Sequence, residues 1–215
     1  MRVGILRTCA LGDAVQTTAV LQQIREDLPQ AEITMFSSAN VSSAWEGCRY
    51  FDHLHSLPPS WLSPAATCWG ILRAWWEIAL LEPFDLFFSL EPTWKRNMGI
   101  KLVRAKHTMG VRFSGGMWKP SPFTKSMILS GDPTTVKQHT ALRNIQAWCQ
   151  LMQREDRGFG YDMSHLIKAQ PTLPPDTICL APGTGSALES FPTKAWGANH
   201  FVALGEALIA AGHKV

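Results

Sequence analysis

Apolar residues along this chain fall into short runs separated by longer segments of helical period. Residues 2–7 (RVGILR) form the first run, a strand by its length and branched side chains. A turn holding Gly12 follows, and Asp13 stands where a helix N-cap is wanted. Val20, Ile24 and Leu28 recur at i, i+4 and i+8, an apolar stripe along the next helix, which Pro29 closes. Residues 32–36 (EITMF) are a second strand and 53–57 a weaker third. Residues 65–81 have the character of a Trp-rich helix. Residues 84–90 (FDLFFSL) are apolar on both faces, as in a strand covered on both sides. Residues 94–104 are predicted as a helix, 107–111 as a strand and 137–154 as a long helix. Strands alternating with helices imply an α/β fold on a parallel sheet with right-handed crossovers.

The segment 156–175 carries Gly158, Gly160, Pro171, Pro174 and Pro175, the make-up of a linker. The pattern then restarts with a strand at 177–181 (TICLA), a Gly-rich turn and a helix at 198–211. Residues 213–215 have the look of entry into another strand. The expectation is a first domain over 1–155, a linker over 156–175, and an incomplete second domain begun in 176–215.

Composition narrows the classes. Of the 215 residues 46% are hydrophobic and 17% charged, the balance of a globular chain and not of a disordered one. A net charge of +3 is too mild for a dedicated nucleic-acid binder. Five Cys are scattered without a CxxC pair, which implies reduced thiols and a cytoplasmic setting. No His and Cys have zinc spacing, so no metal is expected. The N-terminal apolar run is too short for a signal peptide. Residues 54–72 lack charge, but Pro58, Pro59 and Pro64 rule out a membrane span there.

Four features bear on chemistry. Asp13 sits on the first βα turn, where open α/β sheets bind ligands and where a carboxylate can take a proton from a sugar hydroxyl. It can equally be a helix cap. The turn lacks GxGxxG, so it carries no dinucleotide fingerprint. From Thr93 to Gly131 there are eight Lys or Arg, among them Lys101, Arg104 and Arg112, and no Asp or Glu. That stretch is either an attractor of anionic groups or a solvated helix face and loop. The turn from Pro182 through Gly183, Thr184 and Gly185, with Lys194 beyond it, can receive a phosphate on backbone N–H groups and a cation. Trp61, Trp69, Trp75 and Trp76 serve either the core or, on an amphipathic surface, a membrane interface.

Several segments taken in order resemble glycosyltransferase family 9, the ADP-heptose:lipopolysaccharide heptosyltransferases. The residues that carry the likeness are GDAVQTTAVLQQIREDLPQAEIT (12–34), FDLFFSLEPTWKRN (84–97), KHTMGVRF (106–113), HTALRNIQAW (139–148) and LAPGTGSALESFPTKAWGANHFVALGEAL (180–208). Gly197 stands where the family has Pro after its Lys-x-Trp triplet. The resemblance implies a GT-B fold of two Rossmann-like domains, the first for the acceptor and the second for the nucleotide-sugar. It implies an inverting transfer of heptose from ADP-heptose to the anionic inner core of lipopolysaccharide, with no metal and no cofactor. By the same resemblance Asp13 matches the family's general base, with Gly12 beside it. Lys194 matches its phosphate-contacting Lys, next to Gly183 and Thr184, and Lys101, Arg104 and Arg112 are candidates for the acceptor's anionic groups. Peripheral contact with the inner face of the cytoplasmic membrane is compatible with such an acceptor. The later donor contacts of the family have no counterpart in these residues, so the resemblance implies a chain inactive by itself. A non-catalytic glycolipid-binding module and a family member with another nucleotide-sugar are the alternatives.

Overall fold

The computed structural model describes residues 1–8, 11–58, 68–91, 94–113, 122–129, 140–158, 160–166, 174–181 and 197–215. They belong to two units, Met1–Lys168 and Ala169–Val215.

In the first unit six strands form one parallel sheet: β1 (Arg2–Leu6), β2 (Glu32–Ser38), β3 (His53–Leu57), β4 (Phe84–Ser89), β5 (Ala105–Phe113) and β6 (Lys125–Leu129). Their order across the sheet is β3-β2-β1-β4-β5-β6. This is the doubly wound arrangement, in which the order reverses between the two central strands, β1 and β4. The helices are α1 (Leu11–Asp27), α2 (Cys68–Ala79), the short α3 (Trp94–Asn97) and α4 (Thr140–Met152). Alternate residues of each strand point to opposite faces, so the sheet makes two cores. On one face Val3, Ile5, Ile33, Met35, Leu86 and Phe88 pack under α1 and α4, with Trp148 filling the space between them. On the other, Phe36 and Phe87 meet Ile71, Ala74, Trp75 and Ile78 of α2. β4 therefore has apolar side chains on both faces, as its sequence pattern demands.

Most elements fall where the hydrophobic pattern puts them, with three exceptions. β6 has no counterpart among the predicted elements. Its sequence KSMIL is short and half polar, and it is held in register by tertiary contacts. Thr108 and Thr124 exchange hydrogen bonds, from the Thr108 amide to Thr124 Oγ1 (2.8 Å) and from the Thr124 amide to Thr108 Oγ1 (3.0 Å). The helix predicted over 94–104 breaks after Asn97 into a 3₁₀ turn at Ile100–Leu102. The cause is Trp75 of α2, which is fully buried and lies flat against Gly99; a Cβ there would come within 2.2 Å of the indole. The expected strand 177–181 is reduced to a parallel bridge between Thr177 and Lys214.

Part of the segment expected as a linker is fastened to the first unit. Arg157 pairs with Asp27 at 2.7 Å, and the Asp162 carboxylate takes hydrogen bonds from Tyr50 and, at 2.9 Å, from Arg49. Hydrogen bonds from Ser164 and Tyr50 hold the Asp162 carboxyl well below the usual carboxylate range. In the second unit α5 (Ala198–Ala210) follows Gly197 and buries none of its residues.

Replacing Gly99 by Ala should cost about 1–3 kcal/mol, because Trp75 has to leave its place or the 3₁₀ turn must shift. Urea denaturation measures this, and an unchanged midpoint would contradict the packing argument.

Candidate functional site

The reversal of strand order leaves an open position at the carboxyl ends of β1 and β4, where doubly wound sheets bind their ligands. Leu6 and Ser89 are paired there, and the Leu90 amide donates to the Leu6 carbonyl at 2.9 Å. Each strand then delivers a charged residue. β1 runs on into Arg7 and Thr8, β4 into Leu90 and Glu91.

Glu91 has no exposed surface. Its Oε1 accepts hydrogen bonds from the Thr8 amide and, at 2.8 Å, from the Thr8 hydroxyl. Its Oε2 accepts one from Arg96 of α3 at 2.9 Å, and the same guanidinium nitrogen reaches the Thr8 carbonyl at 3.1 Å. Asn97 donates to the Glu91 carbonyl at 2.8 Å and accepts from the Ser89 hydroxyl at 2.6 Å. The exit of β1 is thus tied to the exit of β4 through side chains with complete partners, which fixes where α1 begins.

Arg7 is almost fully buried. It donates from Nη1 to the Leu90 carbonyl at 2.8 Å, and its Nη2 lies 3.2 Å from Asp13 Oδ1. Asp13 is the third residue of α1 and keeps 40% of its side-chain surface exposed. Arg143, buried on the first turn of α4, is close enough to both to feel their charges. Burial first, and then the like charge of Arg7, push its guanidinium below the ordinary arginine range, while Asp13 opposes them. Beside it Asn144 is 1% exposed, and neither amide atom meets a partner among the described residues. The site is one half-open carboxylate backed by two buried cations. A hydroxyl can approach the carboxylate.

No family model matches the chain, and no curated protein matches it. Solved structures do. E. coli heptosyltransferase WaaC with ADP has a TM-score of 0.72 over 99% of this chain and 66% of its own, at 14% identity. E. coli ADP-heptose lps heptosyltransferase II gives 0.57 over 99% of this chain and 62% of its own, at 15% identity. The glycosyl transferase family 9 protein of Veillonella parvula DSM 2008 gives 0.58 over 75% of this chain and 44% of its own, at 19% identity. The chain has the α/β fold of these GT-B structures, with a six-stranded parallel sheet in its first unit. It spans about two thirds of the length of WaaC.

Within the first unit the predicted residues part company. Gly12 and Asp13 stand together on the first turn of α1, and a Cβ on Gly12 would meet nothing within 4 Å among the described residues. Arg112 lies near the carboxyl end of β5, the same edge of the sheet, with its side chain outside the described residues. Lys101 and Arg104 do not come to Asp13. They precede β5, and Arg104 donates to the carbonyls of Ala79 and Leu81 ahead of β4, so both lie at the amino edge. A strand length, roughly 15–20 Å, separates that edge from Asp13. The physical reason is that β5 runs through the basic stretch and sends its two halves to opposite edges. Gly183, Thr184 and Lys194 lie outside the described residues. Asp13 is not at the N-cap position, since α1 begins at Leu11.

Sequence reasoning missed Arg7, Glu91 and Arg143. Arg7 and Glu91 each follow an apolar strand directly, and a charge at such an exit is the signal that could have singled them out. Glu91→Ala would leave the Thr8 amide and hydroxyl without their acceptor and Arg96 without its counter-charge, and should destabilise the first unit by about 3–5 kcal/mol. A denaturation curve indistinguishable from the wild type would refute the clamp.

Proposed function

We propose that the protein belongs to an inverting sugar transfer from a nucleotide-diphosphate sugar to a hydroxyl of an anionic glycolipid. On the family resemblance the donor is ADP-heptose and the acceptor the inner core of lipopolysaccharide. The observation that carries this reading is the Asp13 carboxylate, half-exposed on the first turn of α1 beside the β1–β4 reversal and backed by Arg7 and Arg143. The GT-B likeness adds to it, since the WaaC structure it matches holds ADP. Whole-protein activity is proposed here from a chain that spans 66% of WaaC.

In this mechanism Asp13 accepts the proton of the acceptor hydroxyl as that oxygen attacks the anomeric carbon. The bond from the anomeric carbon to the diphosphate breaks, its electron pair leaves with the diphosphate, and the anomeric configuration inverts. Arg7 positions the Asp13 carboxylate through the 3.2 Å ion pair. Arg143 receives an anionic group of the acceptor, and Gly12 leaves the backbone of α1 accessible to the sugar. Gly183, Thr184 and Lys194 stabilise the departing diphosphate from the donor side. No residue in this scheme requires a metal.

Transfer from ADP-heptose to a delipidated, water-soluble core acceptor tests the reading, with this chain and with any longer form of the protein. In the form that turns over, Asp13→Asn should lower kcat by about 10²–10⁴-fold and leave donor affinity nearly unchanged. A variant with wild-type turnover would return Asp13 to a structural role. Acceptor binding without turnover in any form would make the protein a glycolipid-binding module.

The same assay separates the two edges of the sheet. Arg143→Gln should raise the acceptor KM by roughly 10- to 100-fold, the worth of a hydrogen bond to a charged group. Lys101→Glu and Arg104→Glu should leave it unchanged. A KM raised by the amino-edge variants and not by Arg143→Gln would move the acceptor site away from Asp13.

A further inference from the structure

Helix α2 carries a second apolar face besides the one that packs. Ile71, Ala74, Trp75 and Ile78 turn inward and are buried. On the outer side Trp69, Trp76 and Leu80 are 81%, 60% and 66% exposed, and Arg73 stands among them with 79% of its side chain exposed. Leu80 follows the last residue of the helix and keeps its register, since its amide donates to the Trp76 carbonyl at 3.1 Å. The outer row is therefore Trp69, Arg73, Trp76 and Leu80, spaced by four, three and four residues. That is the spacing of a seam between two packed helices, and a contiguous aromatic stripe open to solvent marks an interaction surface.

Two properties of the row say which helix covers it. The first is symmetry. Read from either end the spacing is the same, so a two-fold axis between Arg73 and Trp76 lays the row against itself with the two helices antiparallel. Trp69 then faces Leu80 of the second copy, and Arg73 faces Trp76 of the second copy, each contact occurring twice. An isologous interface demands this self-matching. The second is charge. Arg73 and Glu77 are the charged residues of α2, and they pair at 3.4 Å. The pair leaves the row without net charge, which suits a partner surface that is itself uncharged. In the antiparallel arrangement the Arg73 guanidinium, still held by Glu77, lies over the indole of Trp76 of the second copy, where the ring face attracts a cation. One polar residue in such a seam fixes its register.

We propose that the outer face of α2 is a homodimer contact, in which Trp69, Arg73, Trp76 and Leu80 of two chains pack antiparallel. The seam is about 16 Å long. One short helix against another falls at the small end of protein interfaces, below roughly 1,200 Å² in total, so the dimer is of the weak, reversible class. It stands apart from the transfer reaction, and its test contains no sugar.

The test is sedimentation velocity of the whole chain across a wide range of concentration. The wild type should exchange between monomer and dimer, with a dissociation constant on the order of 10–100 µM. Trp76→Glu changes an exposed position, so it should keep its circular dichroism and raise that constant at least about tenfold. Orientation is read by mixing two single variants, Trp69→Cys and Leu80→Cys, and bridging them with a short bismaleimide, with the wild type as the background for its own cysteines. The mixture should give more cross-linked dimer than either variant alone. A wild type that stays monomeric throughout would overturn the proposal, whether or not it binds lipid vesicles. So would self-association that persists unchanged in Trp76→Glu, or Trp69→Cys cross-linking to itself as readily as to Leu80→Cys.

Discussion

A carboxylate with no exposed surface is tolerated only when its oxygens have donors, and Glu91 meets that condition with Thr8 and Arg96. The rest of the site hangs on this contact. It ties the chain leaving β1 to the chain leaving β4, 83 residues later in sequence. With Thr8 held, the start of α1 is held, and with it the turn that carries Gly12 and Asp13. Arg7, the neighbour of Thr8, repeats the tie on the other side through the Leu90 carbonyl and then reaches Asp13. One buried anion and one buried cation thus brace the same reversal of strand order, and the half-open carboxylate is what they leave facing outward.

The consequence for chemistry is a division of labour between the two sides of one sheet. The face under α1 and α4 supplies Asp13 and Arg143 at the carboxyl edge. The face under α2 is packed by Trp75 against Gly99 and Phe87, and its outer surface is aromatic.

Much of the fold was legible in the sequence because its strands are short apolar runs and its helices carry single stripes. β4 was plain, since FDLFFS can only be a strand buried on both faces. β6 was not, since its place is set by Thr124 and Phe123 meeting β5 and not by its own pattern. The break after Asn97 was hidden for the same reason: it is imposed by an indole 24 residues earlier in sequence. Of the candidate site, a linear reading contains only Gly12 and Asp13, where a local turn carries the signal. Glu91 and Arg143 join this candidate site through strand adjacency and helix packing, which a linear reading does not contain. Lys101 and Arg104 were grouped with Arg112 because charge was counted along the chain, while the strand between them separates them in space.

The central claim is that the acceptor binds at the carboxyl edge beside Asp13. Backbone chemical-shift mapping during titration with a delipidated core acceptor tests it most directly, because it reads every edge of the sheet at once. The account predicts shifts centred on Gly12, Asp13, Thr8, Arg143 and Asn144, with Lys101 and Arg104 unmoved. Shifts centred on the amino edge, with Gly12 and Asp13 unchanged, would contradict it.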